Sequence, residues 1–309
     1  MNIKKLLSGI LTTCVIGTSF LSALPVSAQA ITEGAHTQVS AEEQKNLQTA
    51  ESPTKEFAIK NKKDFSKFMT TPEYWESNYK IKLNCDISWI FFKKFNPIED
   101  FKGDFDGGGN TIKYVKLRCF AKNNHGKISR LNFQKSKLLS SGCGFVENNY
   151  GTITECTATG DVKGEKEEVV GGFLKNNYGI ISDCTAKGNV NGYICLSRFV
   201  GGFVGENKGK ITNCAATGNV KGLHGVGGFV GINHADATIY NCTVKGNIDG
   251  SAVSINGCVS VGGFIGENHG TIENCTAIVV VKLRFGDFYT RIDSFAGINE
   301  GKIEDCKIA

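Results

Sequence analysis

The stretch Gly201-Gly202-Phe203-Val204-Gly205-Glu206-Asn207-Lys208-Gly209-Lys210-Ile211-Thr212-Asn213-Cys214, followed by Ala215-Ala216-Thr217-Gly218-Asn219-Val220-Lys221-Gly222, decides the fold. Its frame recurs. Units begin at Phe120, Phe145, Phe173, Phe203, Phe229, Phe264 and Phe295, spaced by 25 to 35 residues. Four residues after each Phe stands an asparagine: Asn124, Asn149, Asn177, Asn207, Asn233, Asn268 and Asn299. An isoleucine follows at Ile128, Ile153, Ile181, Ile211, Ile239, Ile272 and Ile303. A fixed frame with variable spacing marks stacked repeats that accept loop insertions.

After the isoleucine each unit alternates. Cys156, Ala158, Gly160 and Val162 fall on one face of a strand, and Thr157, Thr159, Asp161 and Lys163 on the other. Units at 184–190 and 214–220 repeat the pattern. Period two with small inward residues describes a narrow, tightly packed β-wall. One unit has too few apolar residues for a core of its own, so stacking must bury the inward faces. Glycine density and alternation exclude helical repeats. The fold class is therefore all-β, a parallel β-solenoid of about seven repeat coils. An N-terminal lead-in precedes them. There, Asn61 can cap a short helix with Phe65 and Phe68 on one face, and Tyr79–Leu83 alternates as a strand.

The repeated polar and thiol positions carry structural expectations. An asparagine at a turn can take the left-handed backbone conformation, and stacked asparagine amides can bond from coil to coil as a ladder. Cys156, Cys184, Cys214, Cys242, Cys275 and Cys306 share one position, which Leu131 fills in the first unit. An apolar residue in that place, with no Cys-x-x-Cys pair in the chain, predicts a column of buried, reduced thiols rather than disulfides or a metal site. No cofactor is expected.

The motif Gly201-Gly202-Phe203-Val204-Gly205-Glu206-Asn207, with Ile211, Cys214 and Gly218-Asn219-Val220-Lys221-Gly222, resembles the GLUG repeat of bacterial surface proteins. Phe stands here where that family usually has Leu. Phe101-Lys102-Gly103-Asp104-Phe105-Asp106-Gly107-Gly108-Gly109-Asn110-Thr111-Ile112 resembles the segment that leads into such repeats. The resemblance covers about residues 57–309. It implies an exported β-helix of the kind found in filamentous adhesins and beside the catalytic region of zinc IgA-specific metallopeptidases. The sequence contains no His-Glu-x-x-His, so protease chemistry does not follow from it. Asp104, Asp106 and Asn110 resemble part of a calcium loop, but Val115 occupies the position of its terminal acid, and a simple turn is expected.

Outside the repeats, residues 1–30 read as a signal peptide: Lys4 and Lys5, an apolar run, and small residues around Ala28 and Ala30. Residues 31–55 read as a disordered polar spacer, 56–119 as the capping lead-in, and 120–309 as the repeat solenoid, its last coil incomplete. The formal charge of +5 falls to +3 when Lys4 and Lys5 are removed with residues 1–30. That is too weak to argue for nucleic acid, and no integral membrane segment is expected after cleavage. Insertions at 165–168, 193–199, 223–224, 251–259 and 285–291 all fall between the alternating strand and the next Gly-Gly-Phe. They should line one edge of the stack. Tyr193, Arg198, Phe199, His224, Phe288, Tyr289 and Arg291 are the candidate partner-binding residues there. The expected function is a secreted or surface-associated, non-catalytic binding or adhesion protein, with a host or matrix glycan or protein as partner. The alternatives are a β-helix polysaccharide-degrading enzyme, or a fragment of a larger surface protein. Self-association through an uncovered C-terminal edge is a further expectation.

Overall fold

The computed structural model describes residues 54–135, 142–164, 169–192, 198–250, 259–283 and 290–309. The segments read as signal peptide and spacer lie outside these residues up to position 53. Lys55, assigned to the spacer on composition, already begins the first strand, Lys55–Ile59.

Each coil folds as the repeat dictates. In the unit around Phe203, Phe199–Gly201, Val204–Asn207, Lys210–Thr212, Ala215–Thr217 and Val220–Gly222 are strands. The next coil pairs with it in parallel and in frame: Asn207 with Asn233, Ile211 with Ile239, Ala216 with Val244, and Val220 with Ile248. Repetition yields four parallel sheets. Sheet I has 10 strands and carries the Ile column. Sheet II has 8 and carries the Asn column. Sheet III has 12 and runs from the Cys–Ala segment through the Val column. Sheet IV has 5 and contains the residues just before each Gly-Gly-Phe from Val169 onward. The backbone bonds run along the solenoid axis, so identical side chains stack at strand spacing. The rings of Phe173 and Phe203 lie 4.8 Å apart and nearly parallel, as do those of Phe203 and Phe229. Each fully buried Phe stabilises the stack by roughly 1.5–3 kcal/mol.

The asparagines form an internal ladder. Each Nδ2 donates to the Oδ1 of the next coil: Asn124 to Asn149 (2.8 Å), Asn149 to Asn177 (2.9 Å), Asn177 to Asn207 (2.8 Å), Asn207 to Asn233 (2.8 Å), Asn233 to Asn268 (2.9 Å) and Asn268 to Asn299 (2.8 Å). The left-handed turn expected at these residues is elsewhere. It falls one residue before the Cys position, at Arg130, Glu155, Asp183, Asn213, Asn241, Asn274 and Asp305, with φ between 50° and 55°. The ladder asparagines end strands of sheet II, where amide stacking rather than backbone strain selects them. The ladder stops at Asn124 because Phe101 occupies the preceding place. The buried Asn124 Oδ1 is left without a donor.

The cysteines follow the same logic. Cys156, Cys184, Cys214, Cys242 and Cys275 are free and buried, and Cys306 is free and half-buried. Each backbone N–H from Cys156 to Cys275 donates to the Sγ of the next coil at 3.4 Å. The Sγ of Cys184 in turn bonds the Ser182 carbonyl at 3.0 Å. Burial pushes the Cys184 and Cys242 thiols well above their ordinary range.

The core divides into two columns. The larger holds the Phe, Ile, Cys and Ala stacks, together with the aromatic residues of the lead-in. The smaller lies between sheets III and IV, with Val162, Val190, Val220 and Ile248 facing Val170, Val200, Val226 and Val261. Sheet IV covers the outside of sheet II, and the sequence shows where. The second residue after Phe is Lys122, Glu147 and Lys175 in the first three units, then Gly205, Gly231, Gly266 and Gly297. A Cβ on Gly231 would meet the Gly205 carbonyl at 2.6 Å and the Val200 amide at 2.9 Å, so backbone packs on backbone there.

The lead-in closes the large column. Helix α1, Lys62–Thr70, starts at Asn61, whose side chain accepts from the Lys63 and Asp64 amides. Asp64 Oδ2 accepts in return from the Asn61 Nδ2 and the Lys60 amide, both at 3.0 Å. Phe65 and Phe68 are fully buried, and Phe68 meets Phe105 and Phe120.

Candidate binding edge

The second part of sheet III and sheet IV are consecutive in every coil from Val162 onward, and both stack in register. Val162, Val190, Val220, Ile248 and Val281 form one column, and Val170, Val200, Val226 and Val261 another. The insertions join these two columns, so their anchor points follow one edge of the solenoid at strand spacing. Tyr193, Phe288 and Tyr289 lie outside the described residues. Arg198, Phe199, His224 and Arg291 lie inside them.

These four residues play different parts. Phe199 was expected in a loop, but it opens the strand Phe199–Gly201 and is only 7% exposed. Its ring lies over Gly225 of the next coil, where a Cβ would meet it at 2.5 Å. Phe199 is therefore a packing residue of sheet IV. Arg198 spreads over that ring, its guanidinium carbon 5.4 Å from the centroid, and its carbonyl accepts the Gly225 amide at 2.9 Å. His224 stands beside it on the short 223–224 connection. Burial lowers the His224 pKa and the Arg198 charge lowers it further, while Glu267 opposes them. Arg291 is exposed on the strand Thr290–Asp293, in register with Ser260. Ser260 is fully buried and donates to Glu267 Oε1 at 2.8 Å. That hydroxyl is committed to a carboxylate. Among the described residues no serine bonds a histidine, the pairing that nucleophilic serine chemistry needs.

A second column was missed by sequence reasoning. The residue after each ladder asparagine projects at the corner between sheets II and I: His125, Tyr150, Tyr178, Lys208, His234, His269 and Glu300. The His125 and Tyr150 rings stack at 4.8 Å, as do those of Tyr150 and Tyr178, and the Lys208 ammonium lies 5.2 Å over Tyr178. Glu206 pairs with Lys208 at 3.3 Å, and the buried His234 Nε2 lies 3.5 Å from the same carboxylate without a hydrogen bond. Burial lowers the His234 pKa, with Lys208 adding to the effect and Glu206 opposing it. The signal was present as a variable residue between Asn and Gly in six of the seven units. A third feature is a shallow polar groove of about 280 Å³ outside sheet III, lined by Asp161, Lys163, Asn189, Asn191, Asn219 and Lys221.

The turn at 104–110 is held by protein groups. Asp106 Oδ1 accepts the Gly108 amide and Arg130 Nε, both at 2.9 Å, and Asn110 Nδ2 donates to the Leu83 carbonyl at 2.7 Å. Burial works to raise the Asp106 carboxyl, but Arg130 and the Gly108 amide hold it below its ordinary value.

These columns present hydrogen-bonding amides, aromatic edges and charges at a fixed repeat along the axis. Such a surface suits recognition of an extended partner. The family profile of the GLUG motif matches residues 200–221, 222–249 and 257–282. No curated protein matches the sequence. Among solved structures, a chain from Bacteroides ovatus described as a "putative immunoglobulin A1 protease" superposes with a TM-score of 0.56 at 20% identity. The match covers 82% of this chain and 85% of that one. At that identity the likeness shows a shared fold.

Proposed function

We propose that this GLUG-repeat β-solenoid is an exported, surface-associated binding protein that recognises its partner through the insertions along the edge between sheets III and IV. The observation that carries the reading is the register of the two columns flanking every insertion. The described residues on either side of the five variable segments thus recur at strand spacing along a regular scaffold. Binding proteins place variable loops on rigid frames in this way. Arg198 and Arg291 at the described margins, with Tyr193, Phe288 and Tyr289 in the segments beyond, are residue types that anchor interfaces. Residues 1–30 fit an export signal. The partner is a host or matrix glycan or protein. Protease chemistry does not come with the likeness to the Bacteroides chain, because these 309 residues contain no His-Glu-x-x-His.

A glycan and matrix-protein array tests the proposal, run with the natural chain and with a variant whose 193–197 and 284–289 segments are replaced by Gly-Ser linkers of equal length. The proposal expects a ligand that the variant loses. A variant that keeps every ligand of the natural chain would contradict it, and so would release of soluble fragments from a polysaccharide by the natural chain.

A further inference from the structure

Charge is unevenly placed along the chain. Residues 54–135 carry 17 Lys and Arg against 9 Asp and Glu, whereas residues 136–309 carry 15 against 17. Part of the excess lies on α1 and the first two strands of sheet III. In the strands Ile87–Lys94 and Thr111–Lys116, Lys94 and Lys116 are register partners, and Lys113 faces Ser88. The Lys93 ammonium lies 5.6 Å over the Phe95 ring, and that of Lys62, from α1, lies 6.0 Å over Trp89. Trp89 touches both Phe65 of α1 and Phe95, so Lys62 and Lys93 edge the helix side of the first strand, while Lys94, Lys113 and Lys116 lie on its outer face, opposite the buried Ile112 and Val115.

This patch lacks its counter-charges. Lys55, Lys82, Lys102 and Lys122 of the same region are each paired with a glutamate. Among the described residues no carboxylate lies within ion-pair distance of Lys62, Lys93, Lys94, Lys113 or Lys116. The neighbouring acids are engaged: Asp64 accepts from Asn61 and Lys60 in the helix cap, and Asp86 accepts the Thr111 amide at 2.8 Å. Like charges directly opposite across a ladder repel weakly at an exposed site, and an anion between Lys94 and Lys116 relieves that repulsion. Beside Lys94 opens a groove of about 720 Å³ with Trp75, Met69, Phe95 and Pro97 in its walls and Glu99, held by Lys122 at 2.8 Å, at its margin. Cations flanking an apolar, aromatic trough match a chain of sugar rings that carry regularly spaced acidic groups.

We propose that this face binds a linear acidic polysaccharide. Its carboxylate or sulfate groups lie against Lys94, Lys113 and Lys116, and a sugar ring occupies the trough beside Trp75 and Phe95. The surface belongs to the lead-in and does not depend on the insertion edge. Duplex DNA fits less well. Its binders commonly neutralise about 6–10 phosphates along a broad track, and this face offers about three cations beside an apolar trough.

The test uses the full chain against immobilised polygalacturonate and heparin, with dextran as the neutral glycan and duplex DNA as the other polyanion. Binding to an acidic glycan, absent on dextran and weakened at least roughly tenfold between 50 and 300 mM salt, is expected. K94E/K113E/K116E abolishes it, and K163E/K187E/K245E on the repeats does not. Circular dichroism confirms that both variants fold. The proposal is overturned by any of three results: no binding at 50 mM salt, equal losses in the two triple variants, or DNA held as tightly as the glycan.

Discussion

Replacing Asn207 with alanine removes the middle rung of the ladder, and its effect can be worked out atom by atom. Asn207 is fully buried. Its Nδ2 donates to Asn233 Oδ1 at 2.8 Å and to the Gly209 carbonyl at 3.3 Å. Its Oδ1 accepts from Asn177 Nδ2 at 2.8 Å and from the Gly209 amide at 3.3 Å. After the change Asn177 Nδ2 keeps the Gly179 carbonyl at 3.2 Å, but Asn233 Oδ1 loses its ladder donor. An orphaned buried acceptor costs about 1–3 kcal/mol, and the small cavity adds about 1 kcal/mol. The expected loss is therefore about 2–4 kcal/mol. Asn299 is exposed and only accepts, from Asn268, which retains the Gly270 carbonyl at 3.2 Å. Asn299→Ala should lose less than about 1 kcal/mol. Asn124→Ala should fall between them, because the Asn124 Oδ1 is already unpaired and only one rung is lost. Urea unfolding gives the global ranking, and hydrogen exchange at 204–207 and 230–233 gives the local one, which matters because solenoids can open coil by coil. Equal small losses at Asn207 and Asn299 would refute the reasoning and make the asparagines independent turn residues.

Gly231→Val should lift sheet IV from sheet II, because the new side chain meets the Gly205 carbonyl and the Val200 amide. Exchange at 199–201 and 225–227 should accelerate, with a stability loss of about 1–3 kcal/mol, and unchanged exchange would contradict the packing. Alkylation of the native protein should reach Cys306 before Cys156, Cys184, Cys214, Cys242 and Cys275. All six should react after unfolding without reductant, and thiols still blocked at that point would show disulfides. His224 has a lowered folded pKa, so the unfolded chain takes up the proton first as pH falls. Its contribution to stability is complete above the ordinary histidine range and is lost on acidification toward the depressed value. Arg198→Gln should move the His224 titration upward by NMR, and no movement would remove Arg198 as a neighbour.

What the sequence made legible was what repeats. Phe203, Asn207, Ile211 and Cys214 recur because stacking forces one side chain to serve every coil, so the β-solenoid and its ladder could be read from one chain. The left-handed corner was legible too, in the run of Glu155, Asp183, Asn213, Asn241, Asn274 and Asp305, but the more regular asparagine column drew the assignment to itself. The second core was hidden for a different reason. Sheet IV docks on a row of glycines, and an absent side chain gives periodicity nothing to register except the switch from Lys175 to Gly205. The corner column from His125 to Glu300 escaped because its identities vary. A varying residue at a fixed site looks like a loop until the stack places Tyr150 on Tyr178. Phe199 was misplaced because the insertion ends one residue earlier than composition suggests.

The central claim is that every insertion leaves the solenoid along one edge of an in-register parallel stack. Lys163 and Lys282 are exposed, and each stands at or next to the end of the alternating strand of its coil. They are linked through Asn191, Lys221 and Asp249, register partners in turn. Four steps at about 4.8 Å place their Cα atoms about 19 Å apart. Spin labels introduced at these two positions as non-natural residues, which leaves the buried thiols intact, report this distance by double electron–electron resonance. A narrow distribution centred near 20 Å, broadened only by the label arms, is the expected result. A distribution centred beyond roughly 30 Å, or without a defined centre, would contradict the stack on which the binding edge rests.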